Sequence, residues 1–178
     1  MSSVEHFKII QGLKNGELNP LEIFPFTLDN FQSEAIEALN RGFSVVVSAP
    51  TGSGKTLIGE YAICRAITHG RKVFYTTPLK ALSNQKLRDF REQFGYKNVG
   101  LMTGDMSLNR EASIIVMTTE IFRNMLYAEV TDHNDPLSEV EAVVLDECHY
   151  MNDSQRGTVW EESIIHCPSS IQIVALSA

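Results

Sequence analysis

Short apolar runs alternate with amphipathic segments along this chain, and that alternation limits its fold more than any other feature. The β-rich runs lie at residues 43–48, 72–77, 99–102, 113–118, 142–146 and 171–176. Helical patterns at 30–40, 55–68, 79–94, 120–128 and 157–166 stand between most of them. This order predicts an α/β fold, a mostly parallel central sheet with helices on both faces. "VVV", "IIV" and "VVL" read as nearly continuous apolar runs, as strands buried on both faces should. Asp29 followed by Gln32 predicts a capping box, while Gly70 and Gly95 stand where helices end. The polar stretch "AEVTDHNDPLSEVEA", with Pro136, reads as a surface loop before the next strand.

A chain of 178 residues suffices for one domain with a sizeable core and is too short for two ordinary ones. No apolar stretch approaches the roughly 20 residues of a membrane-spanning helix. The start "MSSVEHFKII" lacks a basic region followed by an apolar one, so neither secretion nor membrane insertion is indicated. Cys64, Cys148 and Cys167 form no CxxC pair, which suggests a reducing, intracellular setting rather than a disulfide framework or zinc site. The net charge of −7 is unevenly spread: residues 65–97 carry a local +6 within an otherwise acidic chain. A basic segment of this kind fits a nucleic-acid backbone, and it equally describes a solvated helix face.

"APTGSGKT", residues 49–56, follows an apolar run and opens a helical pattern, the context in which a phosphate-binding loop is credible. Thr51, Gly52, Ser53 and Gly54 form the turn, whose glycines let backbone N–H groups point inward. Lys55 would reach the β- and γ-phosphates, and the Thr56 hydroxyl would hold Mg²⁺. Ala49 stands where the general pattern has its first glycine. A second motif, "VVLDECHY", places Asp146 and Glu147 after an apolar run, where parallel strand ends gather beside a phosphate loop. Asp146 would bind the metal through its water shell, and Glu147 would orient and deprotonate the attacking water.

Taken together, "APTGSGKT", "DECH" and "ALSA" resemble motifs I, II and the start of III in the DExH group of superfamily 2 helicases. "FPFTLDNFQSEAI", "TTPLKALSNQK" and "DECHYMNDSQRGTVWEESI" look more narrowly like the Ski-like RNA helicases, with a cyanobacterial or plastid flavour. The resemblance implies a three-layer RecA-like P-loop domain over residues 24–178, after an N-terminal extension at 1–23. It also implies that a second RecA-like domain, with the arginine that stabilises γ-phosphate charge, belongs elsewhere, so that this chain alone hydrolyses ATP poorly.

The same resemblance assigns further roles. Phe26 and Gln32 match the adenine-recognition segment, with ATP and Mg²⁺ as cofactors. Pro78, Lys80, Ala81 and Ser83 fall on motif Ia, Thr119 and Glu120 on motif Ib, and Gly104 on a "TGD" turn near the RNA path. His149 and Ser177 couple the nucleotide state to the RNA side, His149 counting also among the catalytic residues with Lys55, Asp146 and Glu147. The implied partners are single-stranded or partly duplex RNA, the second domain, and RNA-degradation machinery, with no membrane. The implied location is cytoplasmic in a prokaryote, or plastid or nuclear in a eukaryote. A DNA repair helicase domain and a non-catalytic nucleotide- or RNA-binding module are the alternatives.

Overall fold

The computed structural model describes residues 18–128, 135–152 and 157–178. Its elements in chain order are α1 (Pro20–Ile23), α2 (Asn30–Asn40), β1 (Val45–Ser48), α3 (Thr56–Thr68), β2 (Lys72–Thr77) and α4 (Lys80–Phe94). There follow β3 (Val99–Thr103), β4 (Met106–Leu108), β5 (Ile114–Thr118), α5 (Thr119–Tyr127), β6 (Val140–Leu145), α6 (Gly157–Ile165) and β7 (Gln172–Ser177). One sheet runs β1-β7-β6-β2-β5-β3-β4, parallel throughout except for the β3–β4 pair. The expected α/β architecture is therefore observed, and the carboxyl ends of its parallel strands lie on one edge.

Side-chain alternation along the strands separates two cores. Val73, Tyr75, Val116, Val144 and Leu176 join residues of α2, α3 and α4 on one face. Phe74, Ile115, Met117, Val143, Leu145 and Ala175 join Phe122 of α5 and Trp160 of α6 on the other. Trp160 is thus a core residue, and burial of a large apolar side chain contributes roughly 1.5–3 kcal/mol. Close approach of α3 to the sheet depends on Gly59, where a Cβ would lie 3.2 Å from the Tyr75 ring. Leu18 and Ile23, within the segment read as an extension, also join the first core. Residues 1–17 and the central part of the surface loop, 129–134, lie outside the described residues.

Two expectations need correction, and one strand was not anticipated. Val46, in the run read as buried on both faces, is 78% exposed. Strand β1 is a sheet edge, and the core beneath α5 and α6 includes none of its residues, so only its Val47 side is covered. That strand begins at Val45 rather than residue 43, and Phe43 is exposed. The "TGD" turn closes a hairpin onto β4, a strand with no sequence signature because all three of its residues are exposed.

Candidate nucleotide site and nucleic-acid face

Backbone bonding first ties the glycine-rich loop to the sheet: Ala49 N–H donates to the Ser177 carbonyl at 3.1 Å, joining the loop to the end of β7. Gly52 (φ 82°) and Gly54 (φ 81°) take the left-handed backbone that side chains resist, and Lys55 leads into α3. Thr56 is the first residue of that helix and is half-buried. Lys55 is only 6% exposed, yet among the described residues its side chain makes no hydrogen bond or ion pair. Ser53 Oγ is buried without a hydrogen-bond partner among the described residues. Unsatisfied donors beside a 13-residue helix's N-terminus suit an anion.

Gln32, 5% exposed, abuts this loop. Its Nε2 donates to the Gly54 carbonyl at 3.1 Å, and its Oε1 accepts Asp29 N–H at 2.9 Å, closing the expected capping box. An amide has two N–H bonds and two acceptor lone pairs, so one of each is left for another ligand. Phe26 is 53% exposed, whereas Phe24, 5.9 Å away between ring centroids, is buried in the core. Of the two rings, only Phe26 offers a face to solvent.

At the end of β6, Asp146 is 4% exposed, with a hydrogen bond on each carboxylate oxygen. Its Oδ1 accepts Glu147 N–H at 2.9 Å, and its Oδ2 accepts the Tyr75 hydroxyl at 2.7 Å. Lys86 Nζ stands 3.6 Å from the same Oδ2. Burial first, and then the Asp146 charge, push the Tyr75 phenol well above its usual value. Glu60, hydrogen-bonded by Gln93 at 3.1 Å, is raised by burial, with the Lys86 charge opposing. Glu147 holds φ at 56°, a strained conformation for a side-chain-bearing residue that costs about 1–3 kcal/mol.

The "DECH" turn also reaches β7. His149 Nδ1 lies 3.3 Å from Glu147 Oε2 and 3.4 Å from Ala178 N. One nitrogen cannot donate to the carboxylate and accept from the amide together, so the ring's tautomer selects between them. Burial raises the Cys148 thiol, while its hydrogen bond with the Ser177 hydroxyl pulls the other way.

Pro78, Leu79, Lys80, Gly104 and Glu120 line one open cavity of about 370 Å³ with Asp105. Motifs Ia and Ib and the "TGD" turn thereby meet in space, with Ala81 exposed alongside. Lys80 is ion-paired with Asp105, whose carboxyl is held below its usual range chiefly by that lysine. Ser83 and Thr119, which the resemblance puts on motifs Ia and Ib, turn their hydroxyls inward. Both are buried and bond inward, Ser83 Oγ to Thr77 Oγ1 at 2.7 Å and Thr119 Oγ1 to the Thr77 carbonyl at 3.3 Å. Arg91 is structural as well, stacking 5.4 Å over the Tyr96 ring.

Sequence reasoning missed Tyr75 and Lys86. A signal for Lys86 existed, since it lies three residues after Ser83 and four before Phe90, on the inner face of α4. A cation at that position must meet an internal anion or ring. Tyr75 carried no such signal, because a tyrosine in a buried strand reads as core.

Comparison with known proteins agrees with this arrangement. The family described as DEAD/DEAH box helicase matches residues 29–178. The chloroplastic DExH-box ATP-dependent RNA helicase DExH15 of Arabidopsis thaliana is 58% identical over 89% of this chain, which spans 14% of that protein. The antiviral helicase SKI2 of Saccharomyces cerevisiae is 50% identical over 90% of the chain, which spans 12% of it. Among solved structures, Mycobacterium smegmatis helicase Lhr bound to ssDNA and AMP-PNP superposes with a TM-score of 0.67 at 27% identity. That match covers 90% of this chain and 25% of Lhr. Among the described residues, no helix is long and apolar enough to cross a membrane. This chain belongs to the DEAD/DEAH box helicase family.

Proposed function

We propose that this chain is the nucleotide-binding RecA-like domain of an ATP-dependent RNA helicase, in which hydrolysis drives movement along RNA. The observation that carries the reading is the buried, unpaired Lys55 beside the orphaned Ser53 hydroxyl, at the strand edge that also ends in Asp146 and Glu147. Phosphate oxygens would satisfy both donors together with N–H groups at the start of α3, the Ser53 N–H being already held by the Pro50 carbonyl at 3.1 Å. Phe26 and the free half of the Gln32 amide would take the adenine.

Thr56 and the buried Asp146 supply hard oxygen donors of the kind that fits Mg²⁺. When bound, that ion would neutralise charge on the β- and γ-phosphate oxygens. Glu147 would accept a proton from the attacking water as its oxygen bonds to the γ-phosphorus and the bridging P–O bond breaks, releasing ADP. His149 would report the outcome to β7 by exchanging its Nδ1 contact between Glu147 and Ala178.

On the other side, Lys80, Gly104 and the backbone around Pro78, Ala81 and Glu120 would hold phosphates without reading bases. Ser83 and Thr119 would act there by fixing Thr77 rather than by touching RNA. A second RecA-like domain and RNA-degradation machinery are the proposed protein partners. A plastid or other intracellular location is the proposed setting, since one relative is named chloroplastic. The test is ATPase activity of the intact protein with single-stranded RNA and with single-stranded DNA. Stronger stimulation by RNA is expected, and equal or stronger stimulation by DNA would replace RNA as the substrate class. ATP binding without turnover on either polymer would reduce the domain to a nucleotide-sensing module.

A further inference from the structure

We propose that Lys86 is a built-in counter-cation of Asp146, a positioning residue that competes with Mg²⁺ for the carboxylate and so tunes the metal dependence of nucleotide binding. This rests on the reading of Asp146 as the magnesium-holding carboxylate.

The geometry brings the two side chains together. Lys86 Nζ lies 3.6 Å from Asp146 Oδ2, with side chains only 21% and 6% exposed. The ammonium is also caged by the Tyr75 ring, 5.3 Å away, and the Phe90 ring, 5.8 Å away. Aromatic faces and a carboxylate on different elements hold the charge in place, unlike an exposed lysine that swings through solvent. A buried carboxylate calls for a compensating partner, and Lys86 supplies an ammonium where the hydroxyl of Tyr75 and the N–H of Glu147 supply only dipoles.

A cation so close must also oppose the arrival of a divalent one. Removing the charge leaves the Tyr75 and Glu147 hydrogen bonds to orient Asp146, so charge competition can be separated from misplacement. The same lysine extends from α4, which opens with Lys80 at the cavity shared by motifs Ia and Ib. Lys86 therefore ties the metal carboxylate directly to the helix that fronts the nucleic-acid face.

The test follows fluorescent ADP binding to the intact protein as Mg²⁺ is titrated into chelator-stripped buffer, comparing the parent with Lys86→Met, Lys86→Gln, Lys86→Arg and Asp146→Asn. Methionine suits the aromatic slot, and glutamine guards against a folding failure of the methionine variant. Both neutral variants should lower the Mg²⁺ concentration at half-effect by roughly fivefold, while Lys86→Arg should match the parent. An unchanged or higher Mg²⁺ requirement in a folded neutral variant overturns the proposal. If Asp146→Asn has the parent's Mg²⁺ dependence, the magnesium reading of Asp146 itself falls instead.

Discussion

Gln32 bonds the Gly54 carbonyl with one end of its amide and the Asp29 N–H with the other, so one buried side chain fixes both the start of α2 and the phosphate loop. The loop cannot shift without disturbing the helix cap. A Cβ on Gly54 would stand 2.7 Å from Gln32 Nε2, which shows how closely the two are packed.

Gln32→Ala should therefore have two separable effects. Loss of the capping and loop bonds should destabilise the fold by about 1 kcal/mol, read as a lower denaturant midpoint. Calorimetric titration with Mg·ADP and Mg·GDP should show the preference for ADP shrinking as well. An ADP preference equal to the parent's would leave Gln32 as a cap and remove it from adenine recognition.

Lys55→Ala separates binding from stability in the opposite sense. Since Lys55 has no ionic partner among the described residues, its removal should leave the melting temperature of the nucleotide-free protein nearly unchanged. Affinity for ADP should nevertheless fall roughly tenfold to hundredfold, the value of a charge-assisted bond to phosphate. Retained affinity would remove the phosphate-loop assignment.

How much of this was legible in the sequence depended on whether a local signal matched a tertiary outcome. The bounds of α2 and β2 were readable because a capping box opens one and Gly70 precedes the other. The glycine-rich loop and the "DECH" turn stood out because their motifs have fixed spacing, and the family match spans both. Strand β4 was not, since an exposed three-residue edge strand is defined by its partner and not by its own polarity. The exposure of Val46 was hidden for a similar reason, as strand order decides which strand lies at an edge. Ser83 and Thr119 matched motif positions, but the sequence could not show that Thr77 lies between them and claims both hydroxyl groups.

Glu147 combines the proposed chemical role with backbone strain, and two substitutions can divide them. Glu147→Gln should keep ATP bound while slowing hydrolysis by roughly a hundredfold or more, the usual contribution of a general base. Glu147→Gly should be equally inactive but no less stable than Glu147→Gln, because glycine tolerates the φ of 56°. Normal turnover in the glutamine variant would rule out the base assignment, and a clearly less stable glycine variant would show that the strain is offset by side-chain contacts.

The Lys80–Asp105 ion pair makes the final prediction two-sided. Asp105 occupies the cation that a phosphate would need, in a cavity open to solvent, so under the proposed reading RNA would have to displace a carboxylate to engage Lys80. Lys80→Ala should weaken binding evenly across RNA sequences and reduce the slope of log affinity against log salt by about one. Asp105→Asn should act oppositely and tighten RNA binding, because it frees the lysine and removes a negative charge from the phosphate path. Fluorescence anisotropy with two unrelated oligonucleotides, at several salt concentrations, measures both effects. Weaker binding in Asp105→Asn would mean that the ion pair shapes the groove for RNA instead of competing with it. A Lys80→Ala loss confined to one oligonucleotide would contradict backbone recognition at this face.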